Sequence, residues 1–167
     1  MRKLMAIALI LCLLLTGCAG ESKRFITALT FYYPLQTTDY SMGSAYIQPE
    51  LREGAGLDKS FVNLLNVYLE GPVDETLYRT PFLDNTRVVS VFREIGILHV
   101  TMNTEFAAHT GLDLTIACAC ITMTCLELSS AQTIRIYAQD ATLDGAEFIE
   151  MSQSSLLLID FVTETEE

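Results

Sequence analysis

The chain has 167 residues, half of them hydrophobic, and its 10 basic and 21 acidic side chains give a formal net charge of −11. Without residues 1–17, which contain Arg2 and Lys3, the net charge becomes −13. This composition excludes intrinsic disorder for most of the chain, because it supplies enough apolar side chains for a core. It also argues against binding to nucleic acid, which requires clustered lysine and arginine.

The N-terminus has the pattern of a bacterial secretory signal. Arg2 and Lys3 precede an apolar stretch over residues 4–15, which is shorter than the roughly 20 residues of a membrane-spanning helix. The next residues, Leu-Thr-Gly ending in Cys18, resemble the lipobox, in which the cysteine thiol is acylated and becomes the new N-terminus. We therefore predict a lipoprotein signal peptide over residues 1–17, lipidation of Cys18 and a lipidated tether over residues 18–24. The alternative is an ordinary cleaved signal peptide with a chance cysteine.

The strand predictions rest on short runs of β-branched and aromatic residues that end at turn signals. In chain order the predicted strands are residues 26–33, 45–47, 87–93, 97–103 and 133–138. The pair 87–93 and 97–103 flanks Gly96 and is interpreted as a hairpin. A further strand is predicted at the apolar run 156–162, inside a C-terminal extension over residues 141–167 that ends in acidic residues.

Two helices are predicted from apolar residues at helical spacing. The first covers residues 57–69 and stops at Gly71 and Pro72. The second runs from Thr110 to about Leu128, with a wetter side formed by Thr115, Ala119 and Thr122 and a core stripe formed by Leu114, Cys118, Ile121, Cys125 and Leu128. Charged residues bracket its apolar run, so we interpret it as a core helix and not as a second membrane span. The element order predicts an α+β domain over residues 25–140: a small mixed β-sheet with two helices packed on one face.

Catalytic and metal-binding patterns are hard to find in this sequence. His99 and His109 are the histidines, they do not have the spacing of a zinc protease, and no phosphate loop or nucleophile motif is present. His99 is interpreted as a partly exposed strand residue. Cys118, Cys120 and Cys125 point in different directions or lie too far apart on one helix for a disulfide, and their spacing matches no common zinc site. We predict buried thiols, no cofactor and no enzymatic activity.

Taken together, these segments resemble the GerMN domain of sporulation and spore-germination lipoproteins. The resemblance is carried by the order and spacing of several short motifs: residues 31–34 (FYYP), 46–53 (YIQPELRE), 69–72 (LEGP), 80–81 (TP), 86–91 (TRVVSV), 96–100 (GILHV) and 103–106 (NTEF). The second helix and residues 133–138 fit the end of the pattern. Departures are Asn85 at a usual glycine, Leu128-Ser129-Ser130 for Phe-Pro-Gly, and Gln139-Asp140 for a closing Asp-Gly.

The resemblance implies a non-catalytic, lipid-anchored domain on the outer face of the bacterial cytoplasmic membrane. Its function would be that of a scaffold or interaction module of the cell envelope, with sporulation or germination as the suggested process and an envelope protein or a second copy as the partner. A sensor or accessory lipoprotein that modulates a membrane kinase or a cell-wall enzyme is the alternative. For an enzyme such as a wall hydrolase, the sequence offers no candidate residues.

Overall fold

The computed structural model of the protein describes residues 28–37, 46–54 and 60–156. Their elements are β1 (Ala28–Pro34), β2 (Ile47–Glu53), α1 (Phe61–Leu69), β3 (Val88–Glu94), β4 (Ile97–Met102), a 3-10 helix (Thr104–Ala108), α2 (Gly111–Leu128), β5 (Thr133–Ala138) and β6 (Phe148–Ser152). The predicted order of strands and helices is confirmed, and the fold is α+β. The predicted signal peptide, Cys18 and the tether lie outside the described residues.

β1 and β2 form a two-stranded antiparallel sheet in which Phe31 pairs with Glu50 and Tyr32 pairs with Pro49. The predicted short strand at 45–47 was placed too early, since β2 begins at Ile47 and continues past Pro49 to Glu53. A proline ends a strand only where its missing N–H would be needed in the ladder. Within the described chain β2 pairs with β1 alone, so its other edge tolerates Pro49.

Helix α1 begins and ends at local signals. The Ser60 side chain caps it by accepting a hydrogen bond from the Asn63 N–H at 3.3 Å. The helix ends at Leu69, and Gly71 follows with a φ of 107°, a conformation that favours glycine. The predicted stop is therefore confirmed, but the predicted start was too early, because Ser60 has a non-helical conformation as the cap and the helix begins at Phe61. Residues 57–59 lie outside the described residues.

Strands β3 and β4 form the predicted hairpin. Their two-residue turn consists of Ile95 and Gly96, with φ values of 40° and 81°. Positive φ at both central residues is the type I′ geometry that matches the twist of the two strands. Glycine adopts it freely, whereas a β-branched residue such as Ile95 is strained there.

A four-stranded mixed sheet has the order β3-β4-β5-β6, with β4 and β5 parallel and the two outer pairs antiparallel. β6 comes from the C-terminal extension and was not predicted, since the strand expected there is the later run 156–162. Leu156 instead donates its N–H to the Ser152 carbonyl at 3.3 Å in the turn after β6. Residues 157–162 lie outside the described residues.

Both helices pack against the inner face of this sheet, α1 at β3 and α2 at β5 and β6, and α2 also packs against β1. Alternate residues of the central strands supply the core, as the period of two requires: Leu98, Val100 and Met102 of β4, and Ile134 and Ile136 of β5 are all buried. Both central strands therefore contribute alternate residues to the core.

Helix α2 is buried on more sides than predicted. The expected core stripe is buried except for Leu128, which is half-buried, but Ala119 and Thr122 of the predicted wetter side are also buried, and so is Cys120. The reason is that α2 contacts the two-stranded sheet on one side and the four-stranded sheet on another. Its length and a mean hydropathy of 1.5 would suit a membrane span, yet it serves here as a core helix, as predicted.

Two departures from the GerMN pattern have a local explanation. Asn85 and Asp140 stand where the pattern has glycine, and both adopt positive φ, 64° and 54°. Asparagine and aspartate are the residues that tolerate this left-handed conformation best after glycine. Both positions therefore have a conformation that glycine adopts freely.

Candidate functional site

The three cysteines of α2 are free and buried. Burial raises the pKa of Cys118 from 9.0 to about 12, and it also raises the pKa of Cys120 and of Cys125. Because the thiolate is the nucleophile and the metal ligand, these thiols are inert at neutral pH. Among residues 28–37, 46–54 and 60–156, no group of three histidine, cysteine, aspartate or glutamate side chains could hold a metal ion.

The interpretation of His99 as a partly exposed residue was wrong, since only 5% of its surface is exposed. Its ring stacks on Phe92 with centroids 4.2 Å apart and an interplanar angle of 10°, and on Tyr137 at 5.8 Å and 15°. Its Nδ1 lies 3.1 Å from the Tyr137 hydroxyl. Strand alternation alone could not reveal this burial, because it comes from rings on the two neighbouring strands.

His99 belongs to a row of rings across the outer face of the four-stranded sheet, the face opposite α1 and α2. Phe92 on β3, His99 on β4, Tyr137 on β5 and Phe148 on β6 follow one another, and the last two centroids are 5.4 Å apart. These positions alternate with the buried Val100 and Ile136, so the rings lie on the opposite face of the sheet. We call these four rings the aromatic row.

One ion pair crosses the aromatic row. The Arg135 Nε lies 2.5 Å from a Glu150 carboxylate oxygen, and the guanidinium carbon lies 4.9 Å from the centre of the Phe148 ring. The hydrogen bond to Glu150 raises the pKa of Arg135. Because Glu150 compensates its charge, Arg135 attracts anions weakly. Its contacts instead hold Glu150 and Phe148 in place on the surface.

The aromatic row ends at an exposed apolar rim on the β3–β4 hairpin. Phe92 is 53% exposed, and Ile95 in the strained turn is 96% exposed. A β-branched residue in a left-handed turn, with no packing in return, costs stability and is a sign of a functional constraint. Sequence reasoning missed this feature, although Ile-Gly at a position that usually holds Asn-Gly is a signal in the sequence.

A second surface forms around a buried ion pair at the two-stranded sheet. The Glu50 Oε2 and the Arg52 Nε lie 2.6 Å apart. The other Glu50 oxygen accepts the N–H groups of Val73 and Asp74 at 2.8 and 3.0 Å. Arg52 donates to the Gly71 carbonyl at 2.5 Å, so the pair holds the loop after α1 against β2.

Tyrosine side chains complete this network. The Tyr33 hydroxyl donates to the Tyr68 carbonyl at 2.6 Å and accepts a hydrogen bond from Arg52 at 2.9 Å. Burial is the main cause that raises the Tyr33 pKa. The network therefore serves as a rigid structural support for the loop after α1.

Next to this support lies a groove of about 580 Å³ between β2 and the loop after α1. Three of its lining residues are large, apolar and exposed: Leu51 at 72%, Val73 at 77% and Leu77 at 48%. We call this feature the β2 groove. The sequence did not predict it, because the predicted second strand ended before Leu51.

One of the comparisons with known proteins bears on the fold. No protein-family model matches the sequence, and no curated protein matches it. The structure is similar to the tandem GerMN domains of the sporulation protein GerM from Bacillus subtilis, with a TM-score of 0.61 and 18% identity over 81% of this chain. The chain spans 49% of that tandem structure. A candidate lipoprotein from Clostridium perfringens was also found, with a TM-score of 0.45 and 16% identity over 76% of this chain and 87% of the other. The described chain has the fold of a GerMN domain.

Proposed function

We propose that this protein is a lipoprotein held at the outer face of the bacterial cytoplasmic membrane through Cys18, and that its GerMN-like domain is a non-catalytic scaffold or interaction module of the cell envelope. The anchor is supported by the basic N-terminus, the apolar stretch and the lipobox-like sequence that ends in Cys18. Two or more acyl chains on one residue give stable anchoring to a membrane, whereas a single acyl chain gives only marginal anchoring.

The observation that supports a binding role most directly is the outer face of the four-stranded sheet. Two large apolar side chains are exposed within one hairpin at its rim, with Phe92 half exposed and Ile95 almost fully exposed. Apolar surface that is exposed in a cluster marks interaction sites, whereas single exposed residues need no explanation. The strained turn that exposes Ile95 to solvent also supports this role, because such a residue is kept for contact with a partner and not for stability.

The fold likeness suggests which process to test first. The Bacillus subtilis structure is described as that of a sporulation protein. We propose assembly of an envelope complex during sporulation or germination as the process in which this domain takes part. Modulation of a membrane kinase or wall enzyme is the alternative, and the identity of the captured partner distinguishes the two.

The anchor is tested by the Cys18→Ala substitution. We expect the variant to keep its signal segment and to incorporate no labelled fatty acid, because the acyl acceptor is removed. Cys12→Ala is the matched control, since Cys12 lies within the apolar stretch and should leave labelling unchanged. Equal labelling of the Cys18 variant and the parent protein would contradict the anchor.

The binding role is tested by a photo-crosslinking residue at Phe92 in native membranes, with the same residue at Asp144 as a control on an exposed loop. We expect protein crosslinks from position 92 that depend on the anchor, since confinement to a membrane raises the effective concentration of weak partners. Turnover of a cell-wall fragment by the purified domain, with no protein captured, would contradict the proposal.

A further inference from the structure

The outer edge of β2 has backbone groups that point away from its partner strand. Tyr32, which is paired with Pro49, directs its N–H to the Thr124 hydroxyl at 3.0 Å, and its carbonyl accepts a hydrogen bond from the Tyr68 hydroxyl at 2.9 Å. The pair is therefore one in which neither residue bonds to the other. Consistently, the Pro49 carbonyl points outward and accepts the Tyr78 hydroxyl at 2.7 Å.

The same direction recurs every second residue along an antiparallel strand. Leu51, paired with Thr30, and Glu53, paired with Ala28, therefore also point their N–H and C=O groups outward. No hydrogen bond joins these groups to another part of the described chain. An edge of this kind is a template for one more strand, and Pro49 limits it to the segment that follows.

The β2 groove runs along this edge and adds side-chain contacts. Its exposed apolar residues are Leu51 on the strand and Val73 and Leu77 on the opposing loop. The loop is fixed by the hydrogen bonds from Val73 and Asp74 to Glu50, so the groove is preformed. A preformed groove lowers the entropic cost of ordering a peptide in it.

The charge of the groove indicates which kind of segment it binds. Its one cation, Arg52, is paired with Glu50, which leaves the carboxylates of Glu53 and Asp74 uncompensated among the lining residues. Hydrogen bonds from Thr76 lower the pKa of Asp74, so it is charged at neutral pH. An apolar groove with an acidic rim fits a segment that alternates apolar and basic side chains.

We propose that the β2 groove binds an extended segment of a partner protein, with alternating apolar and basic residues, as an added strand on β2. This inference rests on the proposed binding function and names the surface and the chemistry of the partner. The chain's own apolar run 156–162 contains Asp160 and is followed by further acidic residues, so the rim disfavours it. A second copy is disfavoured in the same way by the net charge of −13 on the mature chain.

The test uses the mature chain with Cys18→Ser, so that it remains soluble, and a short blocked peptide of alternating valine and lysine. We expect saturable binding that weakens with added salt, together with slower hydrogen exchange of the Leu51 and Glu53 amides. The same peptide with glutamate in place of lysine is expected to bind much more weakly. Equal binding of the two peptides, or no added protection on β2, would overturn the proposal.

Two variants separate the backbone from the side chain. Leu51→Pro removes one outward N–H and should weaken peptide binding by about tenfold, whereas Leu51→Ala keeps that N–H and should have the smaller effect. Should Leu51→Pro fail to fold, Glu53→Lys tests the rim and should weaken binding by about fivefold. Glu147→Lys, an exposed charge change outside the groove, is its matched control and should leave binding unchanged.

Other occupants give different results. Slow exchange of the Leu51 amide without peptide, lost on removal of residues 157–167, would assign the groove to the chain's own C-terminus and overturn the proposal. Protection that rises with protein concentration alone would assign it to a second copy, with the same consequence. Crosslinks in native membranes from position 92 but none from position 51 would overturn this proposal and leave the binding function intact, whereas no crosslinks from either would defeat both.

Discussion

The two faces of the four-stranded sheet are built from the same strands but do different things. Towards the helices, Val100 of β4 and Ile136 of β5 have no exposed surface. On the outer face, His99 and Tyr137 stack between strands, and the rim at Phe92 and Ile95 is left in solvent. The inner face thus holds the fold together, whereas the outer face keeps apolar surface available at a cost in stability.

This difference between the two faces indicates where substitutions should leave the folding stability unchanged. Removing a methyl group from the inner face leaves a cavity in a close-packed interior. Removing an apolar side chain from the outer rim leaves no cavity, so its effect should appear in binding and not in folding. The following predictions test this contrast, in order of decreasing effect.

The largest expected effect is in thiol reactivity. Cys118 and Cys125 are fully buried in α2, so reagents reach them only when the structure opens. We expect them to be labelled at least about a thousandfold more slowly in native protein than in denaturant. A cysteine introduced by Ile95→Cys is the control and should be labelled at the same rate in both conditions. Fast labelling of Cys118 and Cys125 in the native protein would show that these thiols are not buried.

Replacing isoleucine by alanine tests the two regions with the same chemical change. Ile136→Ala, at a position with no exposed surface, should lower the free energy of unfolding by about 2–5 kcal/mol. Ile95→Ala, at a position 96% exposed, should leave it almost unchanged. Denaturant unfolding of both variants measures this difference. Similar losses of the free energy of unfolding in the two variants would contradict the difference between the two faces.

The strained turn gives a smaller effect of the opposite sign. Ile95→Asn places a residue that tolerates the observed φ of 40° and should raise the free energy of unfolding by about 1 kcal/mol. The same variant should reduce crosslinking from the outer face, because the exposed apolar side chain is lost. A variant that is both more stable and fully active in binding would show that Ile95 has no role in contact.

The smallest expected effect concerns pH. Burial lowers the pKa of His109 from 6.5, against an opposing influence of Asp113, and Arg79 lines the same cleft. A lowered pKa in the folded state means that the unfolded chain binds the proton first. The contribution of His109 to the free energy of unfolding is therefore fully present above about pH 6.5, and it is lost as the pH drops through the pKa of His109 in the folded state. His109→Gln should flatten this fall, and parallel stability curves for the two proteins would contradict it.

Local signals in the sequence were sufficient for most elements. The stop at Gly71 and the hairpin turn at Gly96 act over a few residues, so their positions could be predicted without the fold, whereas the cap at Ser60 was missed. Strand β2 was misplaced because a proline was taken as its end, although the strand bonds on one side only. Strand β6 in the C-terminal extension was missed, because it is a half-buried edge strand whose sequence pattern is weak.

The sequence alone determined the α+β order, the alternating inner face and the acidic charge, because composition and period follow directly from the residues. The lipid anchor also remains a prediction from the sequence. Only the tertiary structure decided that α2 is buried on several sides, that His99 is enclosed by rings, and that Leu51 meets Val73 and Leu77 across a groove. Each of these depends on residues far apart in the chain, and their proximity is set by how the two sheets pack around α2.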